Sequence, residues 1–451
     1  MSPASALWRH FVLICCLLAG MTPAPAQAPF GGVWSGTFTR DGADLAVRLR
    51  IEGGAVLLSA DALRIADFPL RNVAIDGDRI AFELAGDTTV TRFEGRLQDG
   101  RIVGTMRENG REGSFALARR SADAASPCVQ RPAAFANGDA ALGGTLIRPR
   151  EGAGRVPAVI LMHGSGPESR DSGRFLASAL CRGGIAALIY DKRGVGGSTG
   201  DWREARLEDL ADDAVAGIAW LAVQEDIDPR RIGLYGHSQG GSIAPLVANR
   251  SPHLAFVIAA AGAGVPMAEV ERFSLTNAVR AQTQGDADAA EARAYIDRLI
   301  AVAGSGNGLA DFLAGAERFR ARPWFVTVAP PPIGHWYWRF SRASFRYDAA
   351  AEWRRVRQPA LLLYGARDER TPVEASVAAL RALGNRRLRI EILPGAGHAF
   401  DLPADGPWPR VAPGYPARIV AFARAEADLA ADGSRLSGAR PWRGVRLRPR
   451  R

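Results

Sequence analysis

The residues best suited to covalent chemistry in this sequence lie together at Gly236-His237-Ser238-Gln239-Gly240-Gly241. The apolar run IGLYG leads into this stretch, and a helical composition follows it. A Gly-x-Ser-x-Gly pattern between a strand and a helix holds the serine on a sharp, strained turn with its hydroxyl exposed. We expect glycine at 236 and at 240 because side chains there would clash within so tight a turn. Ser238 is therefore the candidate nucleophile for acyl transfer.

A nucleophilic serine needs a base, and the sequence contains six histidines. His398 lies in Gly395-Ala396-Gly397-His398-Ala399-Phe400, on a loop that follows the last apolar strand. The other five lie at chain positions that each suggest an explanation other than catalysis; they are His10, His163, His237, His253 and His335. Position and elimination both favour His398 as the base that takes the serine proton.

Asp368 is the expected orienting acid. It follows the apolar run LLLYG, and it lies between the serine and the histidine in chain order, as this type of site requires. A carboxylate there would hold the imidazole tautomer and stabilise its cationic form. Glu369 is the competitor, and an ordinary loop carboxylate is the structural alternative for both.

A second glycine-rich turn, His163-Gly164-Ser165-Gly166-Pro167, follows the apolar run AVILM. Its backbone N–H groups, Ser165 foremost, are expected to form an oxyanion hole with the backbone N–H of Gln239. Gly164 is the turn glycine of this segment. The alternative is a tight turn that binds nothing.

The elements around these motifs alternate between strand and helix. Continuous apolar runs predict buried parallel strands at 158–162, 185–190, 232–236, 256–261, 360–365 and 388–393, with helical stretches between them. This pattern predicts an α/β fold with a mostly parallel, doubly wound sheet at 138–433. The motifs above lie at the carboxyl ends of its strands. Between the strands near 261 and 360, a helical, aromatic-rich insertion at about 265–345 is expected to form a lid, whose aromatic side chains would line the substrate pocket, fix the lid to the body, or do both.

The preceding segment, 29–120, has a different pattern of short β runs separated by turn signals such as Asn109-Gly110. It predicts a small all-β sandwich or barrel that contains no histidine, followed by a connection at 121–137. A binding module and a spacer that adds stability are both compatible with it.

The first 28 residues resemble a cleaved secretory signal peptide, with an apolar run too short for a membrane span and a small-x-small site at Ala26-Gln27-Ala28. Export to the periplasm or beyond would leave Cys128 and Cys181 in an oxidising compartment, where they form either a disulfide or two buried thiols.

Charge gives no indication of a nucleic-acid partner. The formal net charge is +10, but seven arginines lie in the last 17 residues, within the basic tail at 434–451, which is typical of a solvated terminus. Lys192 is the only lysine. The sequence contains no HExxH pattern and no Cys/His cluster with ligand spacing, so neither a metal nor another cofactor is expected.

The residues from about 142 to 429 resemble bacterial α/β hydrolases of the esterase, dienelactone-hydrolase-like and S33 serine-aminopeptidase-like group. Five motifs carry this resemblance in order: HGSGPESRD, IYDKRGVGGSTGD, GLYGHSQGGSIAPLVA, LYGARDERTP and LPGAGHAF. It implies a triad of Ser238, Asp368 and His398, and a structural or pocket-wall role for Asp191-Lys192-Arg193-Gly194.

The resulting hypothesis is a serine hydrolase that acts on a small-molecule acyl substrate, with carboxylic esters as the first substrate class. A peptidase or amidase of the same fold is the alternative, and an exported binding protein without catalysis is a third. The pattern does not fix the natural substrate or the oligomeric state.

Overall fold

A computed structural model describes residues 29–85, 89–120, 126–150, 154–403 and 406–432. Within these ranges the chain forms two large β-sheets, helices on both faces of the second sheet, and a helical insertion. The predicted signal peptide at 1–28 and the basic tail at 434–451 lie outside the described residues.

The N-terminal part forms one antiparallel sheet of nine strands. These strands are β1 (Gly32–Arg40), β2 (Ala43–Glu52), β3 (Ala55–Ala60), β4 (Ile65–Pro69), β5 (Arg71–Asp76), β6 (Arg79–Ala85), β7 (Val90–Gln98), β8 (Arg101–Glu108) and β9 (Arg111–Arg119). Their spatial order is β4-β3-β2-β1-β9-β8-β7-β6-β5. The two edge strands, β4 and β5, are separated by one residue in the chain, so the sheet must curl until its edges nearly meet.

The burial pattern of β2 shows which face of this sheet is internal. Leu45, Val47, Leu49 and Ile51 are buried, and the residues between them are more exposed. This period of two places one face of each strand toward a shared core. The expectation of a small all-β unit is confirmed, in the form of a nearly closed barrel.

The second sheet has eight strands in the order β10-β11-β13-β12-β14-β15-β16-β17. They are β10 (Cys128–Asn137), β11 (Ala140–Pro149), β12 (Val156–Met162), β13 (Ala186–Tyr190), β14 (Ile227–His237), β15 (Leu254–Ala260), β16 (Ala360–Gly365) and β17 (Leu388–Leu393). The pairings of β11 with β10 and with β13 are antiparallel, and all the others are parallel. The predicted α/β class is confirmed.

Helices cover both faces of this sheet. They are α1 (Arg174–Arg182), α2 (Leu207–Ala222), α3 (Gln239–Arg250), α10 (Val373–Ala382) and α11 (Tyr415–Ala431). Ile218 of α2 and Ile243 of α3 belong to the core on one face, whereas Leu180 of α1 and Ile419 of α11 belong to the core on the other. Strands buried on both faces explain why their sequences are continuously apolar.

Strand β10 differs from the sequence expectation, which assigned residues up to 137 to a connection. Pro132 lies inside this strand and pairs with Thr145 of β11. A proline cannot donate a hydrogen bond to a neighbouring strand, so in an ambiguous sequence it indicates a connection rather than a strand. At the edge of a sheet, however, one side of the strand has no neighbour, so that hydrogen bond is not needed.

The insertion between β15 and β16 consists mainly of α4 (Met267–Val279), α5 (Gly285–Ser305), α6 (Leu309–Ala316), α7 (Phe325–Val328) and α8 (Trp336–Ser344). It has a core of its own, in which Trp324 and Trp338 are buried against α5. A short helix, α9 (Ala349–Trp353), leads back to β16. After β17, two short strands, β18 (Asp401–Leu402) and β19 (Arg410–Val411), pair before α11.

Cys128 and Cys181 form a disulfide between the start of β10 and α1, with their Cα atoms 6.1 Å apart. Of the two alternatives that the sequence left open, the structure has the disulfide. Within the described residues, no helix combines the length and apolarity needed to cross a membrane.

Candidate active site

Ser238 is the single residue between the end of β14 and the start of α3. Its backbone has φ 53° and ψ −114°, a left-handed conformation that costs a residue with a side chain about 1–3 kcal/mol. Its own N–H donates to the carbonyl oxygen of Ala260 on the neighbouring strand, at 2.8 Å. The surrounding strand and helix therefore hold a strained serine at the carboxyl edge of the sheet.

Two glycines make this turn sterically possible. A Cβ atom on Gly236 would lie 2.3 Å from the carbonyl oxygen of Gly240. A Cβ atom on Gly240 would lie 2.5 Å from the carbonyl oxygen of His163. Both contacts involve backbone atoms, which cannot move aside as a flexible side chain can. Any larger residue at either position would thus displace the serine.

The structure brings the three residues of the predicted triad together. His398 Nε2 lies 2.9 Å from Ser238 Oγ, and His398 Nδ1 lies 2.9 Å from each carboxylate oxygen of Asp368. Because a carboxylate only accepts hydrogen bonds, Nδ1 must carry the proton in a neutral ring, which leaves Nε2 as the acceptor for the serine hydroxyl. This is the tautomer that a general base requires.

Backbone N–H groups hold the Asp368 carboxylate in place. Its Oδ1 atom accepts from the backbone N–H groups of Arg370 and Thr371, each at 2.8 Å, and its side chain is fully buried. Glu369, the competing acid, is exposed, and its carbonyl oxygen accepts from the side chain of Asn277 in α4 at 2.9 Å. Of the two neighbouring acids, only Asp368 contacts the imidazole.

His237, the residue before the serine, supports the His398 loop. Its Nε2 lies 3.2 Å from the carbonyl oxygen of His398, and the two rings are 5.2 Å apart. Burial, and then the nearby His398, lower the pKa of His237 to about 4. A neutral ring can donate from Nε2 to this carbonyl, so His237 positions the loop.

The segment predicted to supply an oxyanion donor passes beside the nucleophile. A Cβ atom built on Gly164 would lie 3.6 Å from Ser238 Cβ and 2.7 Å from Glu168 Oε1, so the bare glycine makes room for both side chains. Within the described ranges, the backbone N–H groups of Ser165 and Gln239 donate to no protein acceptor. Two donors without a protein acceptor, on segments beside the serine, fit the expected oxyanion hole.

The Asp191-Lys192-Arg193-Gly194 segment follows β13 and contacts the turn after β12 and the start of α3. Although burial alone would raise it, the pKa of Asp191 is lowered by hydrogen bonds from Arg170 and from the N–H of Gly197. Arg193 forms an ion pair with the buried Asp213 of α2 at 2.5 Å. Lys192, between them, is itself buried. Ion pairs on both sides therefore fix the loop that carries this lysine.

The insertion lies next to this segment and to the Asp368 loop. The rings of Trp202 and Trp336 are 4.9 Å apart in an edge-to-face arrangement, and Arg339 of α8 pairs with Glu204. Trp202 also lies beside Lys192, whose Nζ is 5.6 Å from the ring centre. The sequence analysis missed Trp202, since a lone tryptophan after a glycine-rich loop carries no motif.

Comparison with protein-family profiles identifies the family of this chain. The profile of the family described as serine aminopeptidase, S33, matches residues 155–401, which is more than half of the chain. The chain belongs to this family of α/β hydrolases. The matched range includes all three residues of the Ser238–His398–Asp368 arrangement, and it excludes the N-terminal barrel. Residues 155–401 thus form an α/β-hydrolase unit.

Curated relatives match over shorter stretches. An uncharacterised protein of Mycobacterium tuberculosis is 38% identical over 117 residues, which cover 26% of this chain and 40% of that protein. Esterase EstD of Thermotoga maritima is 31% identical over 117 residues, which cover 24% of this chain and 28% of EstD. The chain thus spans less than half the length of the curated relatives that it matches.

Solved structures align with a larger share of this chain than the curated relatives do, but at lower sequence identity. Proline iminopeptidase of Mycobacterium smegmatis aligns with a TM-score of 0.44 and 18% identity, over 67% of this chain and 100% of that one. Est1E of Butyrivibrio proteoclasticus aligns with a TM-score of 0.42 and 15% identity, over 67% of this chain and 99% of that one. Likenesses at this level carry no argument about substrate.

Proposed function

We propose that this hydrolase cleaves carboxylic esters through an acyl-enzyme on Ser238. One observation carries the proposal: hydrogen bonds of 2.9 Å join the Ser238 hydroxyl to His398 and His398 to Asp368. This arrangement allows one side chain to take up the serine proton while a second stabilises the resulting imidazolium. Such a relay at a strained strand-to-helix turn is the machinery of nucleophilic acyl transfer.

The proposed reaction has two steps. In the first, Ser238 Oγ attacks the carbonyl carbon as its proton passes to His398 Nε2, and the N–H groups of Ser165 and Gln239 stabilise the oxyanion. The imidazolium then returns the proton to the departing alkoxide, which leaves an acyl-enzyme. In the second step, water repeats the attack under the same base, and the carboxylic acid is released.

Carboxylic esters are the first substrate class for two reasons: the chemistry of the leaving group and the similarity to a named esterase. An alkoxide leaves a tetrahedral intermediate more readily than an amine, so the same residues cleave esters more easily than amides. EstD, which shares 31% identity over its matched 117 residues, is named as an esterase. The family description, serine aminopeptidase, favours peptide or amide cleavage as the second candidate.

Matched chromogenic substrates test the proposal. p-Nitrophenyl acetate and butyrate are compared with the corresponding p-nitroanilides and with alanine p-nitroanilide, whose free amino group an aminopeptidase would require. We expect turnover of the esters, much slower turnover of the anilides, and loss of both in Ser238→Ala. Preferred turnover of alanine p-nitroanilide would instead establish the second candidate.

We also propose that the mature protein is exported. The Cys128–Cys181 disulfide supports this location, because structural disulfides persist in oxidising compartments such as the periplasm. Mass spectrometry of the protein from a periplasmic extract should give a mature N-terminus following Ala28. A full-length chain confined to the cytosol would contradict the proposal.

A further inference from the structure

Lys192, the only lysine in the chain, is one of its least exposed charged residues. It follows β13, and its side chain points beneath the two segments that carry the expected oxyanion donors. Its Nζ atom donates to the carbonyl oxygen of Gly164 at 2.8 Å and to Gln239 Oε1 at 3.0 Å. A single ammonium group therefore ties the loop after β12 to the first residue of α3.

The first of these bonds fixes the direction of a catalytic N–H. In a planar trans peptide, the carbonyl oxygen of one residue and the N–H of the next point to opposite sides. Because the Gly164 carbonyl points toward Lys192, the Ser165 N–H must point away from the lysine. A Cβ atom built on Gly164 would lie 3.6 Å from Ser238 Cβ, so this peptide passes beside the nucleophile. A rotation of this one peptide would remove the donor from the site.

The second bond restrains the other donor. Gln239 is the first residue of α3, where a helix has backbone N–H groups without partners inside the helix. Its side chain is held by Lys192, so the residue cannot turn without breaking a bond to a buried charge. The ammonium contacts both segments, and a positive charge at that position favours a negative oxygen at their donors.

The limited room around the side chain explains why position 192 holds a lysine in a chain otherwise rich in arginine. A small cavity of about 10 Å³ borders Lys192, together with Tyr190, Asp213 and Gln239. An ammonium group is compact and directs three donors from one atom, whereas a guanidinium is a wide planar fork. Arginine would have to displace Gln239 or the Gly164 loop.

We propose that Lys192 is the positioning residue of the oxyanion hole, holding the Ser165 and Gln239 N–H groups toward the acyl oxygen. The inference rests on the proposed acyl-transfer function. It assigns to Lys192 no contact with substrate: the lysine acts through the two segments that it joins.

The titration of Lys192 offers an independent measurement. Burial lowers the pKa of Lys192 to about 8, and the nearby carboxylates of Glu168 and Asp213 oppose this shift. The charged or titratable groups around the ammonium are Glu168, Asp213, His163 and, across the Trp202 ring, Arg203. His163 is neutral above pH 6, because burial and then the Lys192 charge lower its pKa to about 4. Above pH 8 the lysine therefore loses its charge.

Lys192→Met tests the proposal, since methionine has similar length and no donor. Misdirecting a donor should cost somewhat less than removing one, so we expect kcat on a p-nitrophenyl ester to fall roughly tenfold to a hundredfold. KM should change less than threefold. A trifluoromethyl ketone, which forms a tetrahedral adduct with the serine, should bind weaker by the same factor as kcat falls. Lys192→Arg should not restore activity, and Arg107→Met, which removes an exposed charge from the barrel, should leave it unchanged.

The pH dependence separates positioning from mere support of the fold. In the wild type, kcat should decline above pH 8, and in Lys192→Met this alkaline limb should be absent. Because the chain has one lysine, isotope-labelled lysine gives a single side-chain NMR signal, whose titration should match the kinetic limb. This measurement requires no variant, so it decides the matter even where Lys192→Met fails to fold.

Two results would overturn the inference: wild-type kcat and ketone affinity in folded Lys192→Met, or a lysine signal whose titration midpoint differs from that of the alkaline limb of kcat. These results differ from a failure of the proposed function. That failure would appear as a wild-type protein whose Ser238 reacts with neither ester nor ketone.

Discussion

The guanidinium of Arg64, on the turn between β3 and β4 of the barrel, donates to the carbonyl oxygen of Ala399, the residue after His398. The barrel and the base are thus joined across 335 positions of the chain. Other contacts strengthen the same junction: Trp408 donates to the carbonyl oxygen of Ala43 at 2.9 Å, and Arg40 stacks on the Trp408 ring. The barrel therefore braces the loop that carries the imidazole.

Removing the Arg64 side chain should loosen that loop. Arg64→Ala deletes one hydrogen bond, which is typically worth about 1 kcal/mol, and we expect kcat/KM to fall roughly fivefold. Steady-state kinetics on a p-nitrophenyl ester checks this, with Arg101→Ala as the matched loss of an exposed arginine from the same sheet. Equal kinetics for both variants would show that the barrel does not act on the base.

The neighbouring acids Asp368 and Glu369 give a paired test of the triad. Asp368→Asn presents a side-chain amide to Nδ1, which favours the wrong imidazole tautomer, and we expect kcat to fall by about three to four orders of magnitude. Glu369→Gln should retain nearly full activity because its side chain is exposed. The same substrate serves for both. A larger loss in the glutamate variant would transfer the orienting role to it.

The disulfide should contribute measurably to stability. Cys128 and Cys181 are 53 residues apart, and a closed loop of that length corresponds to about 4 kcal/mol in the chain-entropy treatment. Replacing both with alanine should lower the free energy of unfolding by up to that amount in urea titrations. The wild type with its disulfide reduced should behave like the double variant. No difference between oxidised and reduced protein would argue against the bond.

Two largely desolvated histidines, His163 and His237, should make the fold sensitive to acid. Burial lowers the pKa of both His163 and His237 to about 4. The nearby Lys192 charge adds to the shift at His163, and His398 adds to the shift at His237. Because the unfolded chain binds protons at about pH 6.5, it holds more protons than the native state between pH 6.5 and 4. The stabilising contribution of these histidines is therefore fully present above pH 6.5. Between pH 6.5 and 4 the free energy of unfolding falls, by about 3 kcal/mol for each histidine.

Denaturant titrations across that pH range check the prediction. His237→Gln keeps a donor near the His398 carbonyl but cannot take up a proton, so its stability should fall less steeply with acid, by about one proton's contribution. The same slope in the variant and the wild type would mean that His237 is already charged in the folded protein.

Much of the hydrolase unit is predictable because local physics and tertiary structure agree there. The run at Ala360–Gly365 is continuously apolar because its strand is buried on both faces, and the structure has a strand with those bounds. The turn around Ser238 is equally predictable, because backbone atoms at 2.3 and 2.5 Å leave room for nothing but glycine at 236 and 240.

The remainder depends on distances that no local pattern encodes. Strand β10 was missed because Pro132 is tolerated only at a sheet edge, and edge position is a property of the assembled sheet. The disulfide stayed open because pairing depends on where α1 packs. The contact between Arg64 and Ala399 has no signal in the sequence, since an exposed arginine on a turn resembles any other.

Labelling with a fluorophosphonate, followed by peptide mass spectrometry, tests the central claim most directly, because only an activated serine reacts. We expect one adduct, on the peptide that contains Ser238, and none in Ser238→Ala at equal protein concentration and verified folding. An adduct on a different residue, or labelling that persists in the alanine variant, would contradict it.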